Sequence, residues 1–231
     1  MTAHSLKLNE NKSEFMLFGS RTQLSKISVD SLTVGDAVIH ASNSCRNLGV
    51  TLDSGMTMSV HVSNVCKSVR YQLRNLGFIR KYLTRPAAEK NVHSLISSRF
   101  DFGSALLYNL PHTLLKTLLQ TLQNSAARIV TRRRKNDHIT PTLKSLHWLP
   151  LEKRIIFKLL LFIFHIVHSS APSYNQALIT SHNPSRFLRS SNSGLLKVLQ
   201  SKKSWGDRAF AHAGPFLWNL LPVEIYDPFR M

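Results

Sequence analysis

MSVHVSNVCKSVRYQLRNLGFIRKYL, residues Met58–Leu83, places Val62, Val65, Val69, Leu73 and Leu76 three or four positions apart. That spacing predicts one apolar face of an α-helix. Lys67, Arg70, Arg74 and Lys81 recur at the same intervals on a second face. At about 100° per residue the two rows are centred roughly 130° apart, so the helix is amphipathic with a basic exposed side. Gly77 is expected to weaken its end.

On the N-terminal side of this helix the pattern changes. Glu14–Ser20 (EFMLFGS) is a short apolar run closed by Gly19, and Asp36–His40 (DAVIH) alternates after the turn signal Val34-Gly35-Asp36. Arg46–Asp53 (RNLGVTLD) is a third candidate strand, with Gly49 suggesting a bulge or a close backbone approach. Together they predict a small antiparallel sheet or hairpin pair.

On the C-terminal side the helical pattern continues. Thr84 and Pro86 provide a cap and a first-turn proline for a helix carrying Val92, Leu95 and Ile96 and ending at Leu106–Leu110. Leu115, Leu118, Leu122, Ala126 and Ile129 predict a further helix over about 113–130, and Thr131–Asp137 (TRRRKND) a charged loop. Thr140-Pro141 is expected to start a helix, Leu149-Pro150 to break the chain, and Glu152–His168 to form a buried helix with a polar stripe of Arg154, Lys158 and His165. Ala171-Pro172 opens a short helix, 181–206 reads as a loose basic arm, and Asp207–Pro222 is expected to dock Phe210, Phe216 and Trp218 on the core. The fold class is therefore α+β and predominantly α, with a small N-terminal β-sheet or hairpin, a helical bundle and a less regular C-terminal arm. The expected divisions are 1–56, 57–136 and 137–231.

Composition narrows the chemistry. The chain has 231 residues with 30 Lys and Arg against 12 Asp and Glu, a formal charge of +18. A polyanionic partner is expected, with nucleic acid favoured. Residues 1–115 carry 13 basic and 7 acidic residues, net +6, and residues 116–231 carry 17 and 5, net +12. Lys7, Glu10, Lys12 and Glu14 break up the first 20 residues and leave no apolar stretch of secretory-signal length, so no secretory signal is expected, and nuclear and cytoplasmic locations are both compatible. Ile155–Val167 is too short and too charged to span a bilayer, so no membrane partner is expected. Two cysteines, Cys45 and Cys66, form no disulfide framework. No Asp-Asp, Asp-x-Asp or Glu-x-Glu occurs, nor any phosphate-cradling glycine motif, CxxC or GxSxG. No metal ligand set, no cofactor and no small-molecule substrate are predicted.

Arg132, Arg133, Arg134 and Lys135 form the densest basic run and are candidate phosphate contacts, like the row Lys67, Arg70, Arg74 and Lys81. Lys12 reads as an ordinary surface lysine by its chemistry alone. Trp148, Trp205 and Trp218 offer stacking surfaces, but each adjoins leucine, proline or glycine at a segment end, which favours core packing. His147 is expected to be a satisfied structural histidine, and Cys66 a small hydrophobe.

A series of short motifs lies in a familiar order. Met1–Phe15, Arg46–Asp53, Met56–Val65, Asn124–Val130 (NSAARIV), Asp137–Pro141 (DHITP), Leu146–Pro150 (LHWLP), Arg154–Lys158, Ala171–Tyr174, Gly206–Phe210 (GDRAF) and Leu217–Pro222 (LWNLLP) resemble the C-terminal part of reverse transcriptases of LINE-type, non-long-terminal-repeat retrotransposons. The resemblance covers nearly the whole chain. Each motif is weak and their order is the specific feature. Where the family usually carries Leu-Asp-Tyr-Cys-Asn-Ser-Leu-Leu, this chain has Phe100–Leu107 (FDFGSALL).

The resemblance implies RNA-directed DNA polymerisation in the parent enzyme, using two Mg²⁺ ions held by palm aspartates upstream of Met1–Phe15. It implies that Lys12 matches the lysine that protonates leaving pyrophosphate. It makes Arg46–Asp53 a primer-grip hairpin, with Arg46, Asn47 and Gly49 near the primer, and Met58 to about Val130 a thumb that tracks template–primer. The expectation is a truncated fragment lacking the catalytic aspartates, inactive alone, retaining at most non-specific nucleic-acid binding and missing its palm and fingers. The alternatives are a non-functional retrotransposon remnant, which should expose Phe15, Leu17 and Val50, and a host-recruited helical interaction module.

Overall fold

A computed structural model describes residues 9, 12–35, 37–182, 194–201 and 204–222. The protein is α+β and mainly helical, with two small antiparallel hairpins followed by helices. It divides into two compact units, Met1–Ser68 and Val69–Met231, the division falling inside the long helix predicted from Met58 onward.

In the first unit, α1 (Arg21–Leu24) opens with a capping box between Ser20 and Gln23. The strands β1 (Ser31–Val34) and β2 (Ala37–His40) pair antiparallel around Gly35, whose φ of 61° lies in the left-handed region. The strands β3 (Ser44–Asn47) and β4 (Val50–Asp53) pair antiparallel across a two-residue turn. Arg46–Asp53 is thus not one strand with a bulge at Gly49. Leu48 and Gly49 form the hairpin turn with φ of 46° and 86°, the positive-φ pair that matches strand twist. The run reads as continuous because an exposed leucine stands where asparagine is usual. Glu14–Ser20 is also not a strand. Its pairing is one parallel bridge, Phe15 to Ala41, and the Gly19 N–H donates to Ser54 O at 3.1 Å. Phe15 and Leu17 are half-buried and Val50 is only 7% exposed, so the open palm-facing surface expected of a remnant does not extend to Val50.

The turn from β4 into α2 (Ser59–Ile79) is held by Asp53, whose two carboxylate oxygens each accept a backbone N–H, from Thr57 and Met58, at 2.8 Å. Helix α2 runs through Gly77 without ending there. Val62, Val69, Leu73 and Leu76 are buried, while Val65 is half-buried and Cys66 completes the apolar row at 2% exposure.

In the second unit a 3₁₀ turn, Arg80–Tyr82, follows α2. Helix α3 (Arg85–Val92) begins as predicted, with Thr84 Oγ1 accepting the Ala87 N–H and Pro86 in the first turn. It passes through a π-helical turn, His93–Ser97, into α4 (Ser98–Asp101). The expected continuation to Leu110 fails because Gly103 adopts a φ of 62°, after which Ser104–Leu107 form a 3₁₀ turn. The predicted 113–130 helix is a π-helical segment, Thr113–Gln120, continuing into α5 (Thr121–Thr131). The wider winding shifts the buried register: Leu115, Leu119, Leu122, Ala126, Ala127 and Val130 are buried, while Leu118 and Ile129 are half-buried.

Helix α6 (Ile139–Ser145) starts earlier than Thr140-Pro141 suggested, with His138 at its N-cap and Pro141 inside the first turn. Helix α7 (Leu151–Val167) follows Pro150. Pro150 supplies no side-chain cap. Instead Gln120 Oε1 accepts the Leu151 N–H at 2.9 Å, and buried Gln123 donates to Leu149 O at 2.8 Å. Leu151, Ile155, Leu159, Ile163 and Ile166 are buried, but Phe157, Leu161, Phe162, Phe164 and Val167 are exposed. So α7 is amphipathic in packing rather than wholly buried.

Helix α8 (Ser173–Gln176) follows Pro172 as predicted. Of the expected loose arm, residues 183–193 and 202–203 lie outside the described residues. Ser181 and Leu196 form an antiparallel bridge, and 204–208 belong to α9 (Ser204–Arg208). Helix α10 (Phe210–Asn219) docks on α7: Trp218, Ile163 and Leu196 form a buried cluster with Phe210 against it. Gly214 permits this approach, since a Cβ there would stand 2.5 Å from Ile163 Cδ1. Phe216, expected in the core, is exposed.

Candidate nucleic-acid interface

Lys67, Arg70 and Arg74 recur along α2 at intervals of three and four, and all three are exposed. No Asp or Glu occurs anywhere from Ser54 to Ala88. Lys81 is exposed too, but it sits in the 3₁₀ turn beyond the helix, with its Nζ 4.8 Å from the centroid of the Tyr82 ring. Arg74 lies over Phe78, 5.8 Å from that centroid.

The position between these groups is occupied by a cation of opposite character. Arg80 is only 8% exposed. Its Nε donates to Ile129 O at 2.8 Å, its Nη2 to Val130 O at 2.6 Å and its Nη1 to Leu83 O at 2.7 Å. Two of these carbonyls belong to the last turn of α5 and the third to the residue that caps its own turn, although Ile129 O also accepts the Arg132 N–H at 3.4 Å. Burial, and then the neighbouring Arg132 guanidinium, lower the Arg80 pKa, yet a guanidinium stays charged at any working pH. Arg80 continues the apolar row of α2 one step, four residues after Leu76. That spacing was the available signal for it.

Arg132 closes α5 in the left-handed conformation with a φ of 55°, and its Nη2 donates to Arg80 O at 3.3 Å. The loop that follows is folded on Asp137. The Asp137 carboxylate accepts the Arg134 N–H at 3.0 Å, and Arg128 Nη2 donates to Asp137 O at 3.2 Å. Arg133, Arg134 and Lys135 are exposed, and no carboxylate ion-pairs with them among the described residues. Within the second unit, the basic run is therefore tied to the end of α2 through Arg132 and Arg80.

The remaining candidates lie in the first unit. Lys12 is exposed, and its N–H donates to Asn9 O at 3.1 Å. Arg46 faces Thr51 across the β3–β4 hairpin, Asn47 flanks its turn and Gly49 lies within it. His61 is the buried group the sequence reading passed over. It is 5% exposed, and its Nδ1 accepts the Thr51 N–H at 3.3 Å. That amide belongs to a non-hydrogen-bonded pair of the hairpin and so points away from β3. Burial lowers the His61 pKa, which keeps Nδ1 an acceptor.

Trp148 and Trp218 are buried and Trp205 is half-buried, as core packing requires, whereas His147 is exposed at a φ of 55° and is no core histidine. On α2 and the 3₁₀ turn after it, the exposed rings are Tyr71, Phe78 and Tyr82. An open cleft of about 620 Å³ has His182 and Lys197 in its lining and, among the described residues, no carboxylate. Among the described residues, no group of three or more His, Cys, Asp or Glu is placed to hold a metal ion. No described helix is long and apolar enough to cross a membrane. Compared with protein-family models, curated proteins and solved structures, the chain finds no match.

Proposed function

We propose that the chain is the primer-grip- and thumb-like portion of a LINE-type, non-long-terminal-repeat reverse transcriptase and binds nucleic acid non-specifically through phosphate contacts. The observation that carries the binding reading is the set of exposed cations of the second unit whose side chains ion-pair with no carboxylate among the described residues: Arg70, Arg74, Arg133, Arg134 and Lys135. Cations held this way release counterions when they meet phosphates. The family assignment rests on the order of the short motifs. With no Asp-Asp pair in the sequence, the proposed role of this chain is binding, and polymerisation with Mg²⁺ belongs to the parent enzyme.

The test is fluorescence anisotropy of the full chain with a labelled RNA–DNA primer–template across a salt series. We expect the logarithm of affinity to fall with the logarithm of salt at a slope of about −4, and to flatten by about 2 to 3 in the Arg133→Gln, Arg134→Gln, Lys135→Gln variant. A soluble, folded chain that fails to bind at low salt sinks the proposal. The exposed Phe157, Leu161 and Phe164 on α7 favour a second reading, a helical interaction module. That reading gains if the folded chain ignores nucleic acid.

A further inference from the structure

We infer that the exposed face of α2 in the second unit takes single-stranded nucleic acid and stacks its bases. This rests on the phosphate-binding proposal and adds the substrate class. At about 100° per residue, Arg70, Tyr71, Arg74 and Phe78 fall within an arc of roughly 100°. The buried row Val69, Leu73 and Leu76 occupies the far side of the helix. The 3₁₀ turn then adds Lys81 and Tyr82. Cations and rings therefore alternate along one exposed strip.

Three observations identify the occupant. The first is exposure. Tyr71, Phe78 and Tyr82 are 64%, 66% and 77% exposed and follow one another along the same strip, so their faces are open to a ligand. The second is charge. The strip has cations and no anion, so its complement is polyanionic, and a hydrophobic protein surface does not answer it. The third is bracing. Arg74 over Phe78 and Lys81 over Tyr82 hold each ring from one side, and Arg80, bonded to three carbonyls, fixes the turn that carries Lys81 and Tyr82. A polyanion whose repeating units carry flat π-faces is a nucleic acid with unpaired bases. In a duplex those faces are already stacked, so the rings would gain nothing there. The phosphates meet Arg70, Arg74 and Lys81 while bases meet the ring faces that the cations leave open.

The test uses the full chain and three labelled ligands of equal length: oligo-dT, an abasic oligodeoxynucleotide and a DNA duplex. We expect oligo-dT to bind at least about tenfold more tightly than the abasic strand. Tyr71→Ala, Phe78→Ala and Tyr82→Ala together should erase that difference and leave abasic and duplex binding unchanged. Arg70→Gln with Arg74→Gln should weaken all three ligands alike. Equal affinity of the wild-type chain for oligo-dT and the abasic strand overturns stacking while phosphate binding survives, and then leaves the rings to a protein partner. An oligo-dT preference that persists in the triple variant also overturns it. Absence of salt-sensitive binding to any ligand sinks the phosphate reading itself. Should the alanine variant lose helix by circular dichroism, the leucine triple variant, Tyr71→Leu, Phe78→Leu and Tyr82→Leu, gives the same comparison, since leucine keeps the helix and removes the ring.

Discussion

The C-terminal end of α2 and the contact between α4 and α7 both withdraw arginines from solvent, and they satisfy them differently. At the α4–α7 contact, Arg154 grips the Asp101 carboxylate with Nε–Oδ1 and Nη2–Oδ2 both at 2.8 Å, and Lys158 adds 2.8 Å to Asp101 O and 3.5 Å to Oδ1. At the end of α2, Arg80 meets no carboxylate and is held by three main-chain carbonyls. The difference follows from supply. With 30 basic residues and 12 acidic ones, carboxylates cannot serve every cation the fold needs inside. Helix C-termini, which carry unpaired carbonyls and the negative end of the dipole, take over that role. The cations left with neither kind of partner are those on the surface.

Removing Arg80 tests this hardest. Arg80→Leu removes three side-chain donors from main-chain carbonyls and should cost roughly 3 kcal/mol in urea unfolding, and Arg80→Lys should recover only a part of that, since an ammonium lacks the planar fork. Asp101→Asn leaves two cations with a neutral partner and should cost about 1 to 2 kcal/mol. Salt sharpens the contrast: at about 1 M NaCl the Asp101→Asn penalty should shrink while the Arg80→Leu penalty persists, because main-chain acceptors carry no net charge to screen.

His61 extends the comparison to the first unit, as a basic group kept neutral by burial. Its folded pKa lies below the ordinary 6.5, so the unfolded chain takes up a proton first as pH falls. Stability from this site is therefore full above about pH 6.5 and declines below it. Protection of the Thr51 amide, relative to its intrinsic exchange rate at each pH, should fall over that range, and His61→Gln should remove this pH dependence. The smallest stability effect belongs to Arg133→Gln, Arg134→Gln and Lys135→Gln, expected within about 0.5 kcal/mol. A larger loss would mean that these cations hold the fold together.

Periodicity carried the long helix, the Thr84–Pro86 start and the α8 start, because each depends on neighbours a few residues apart. It failed where geometry departs from the ordinary periods. The π-helical turn at 113–120 moved burial from Leu118 to Leu119, and a leucine at positive φ disguised the β3–β4 turn. At the candidate interface the exposed cations were legible and their anchoring was not. Arg80 bonds to residues 49 and 50 positions away, a separation no local pattern reports. The exposed rings were legible in principle, since Tyr71 and Phe78 lie seven apart on the basic face.

The glutamine that caps α7 has a kinetic consequence. The Arg154 N–H closes the first turn of α7 on Pro150 O at 2.9 Å, but the Leu151 N–H is satisfied only by Gln120, 31 residues earlier in the chain. This distant contact belongs to the late side of the folding barrier, and substitutions at Gln120 should speed unfolding more than they slow folding. The 113–131 segment must be wound before α7 has a fixed beginning.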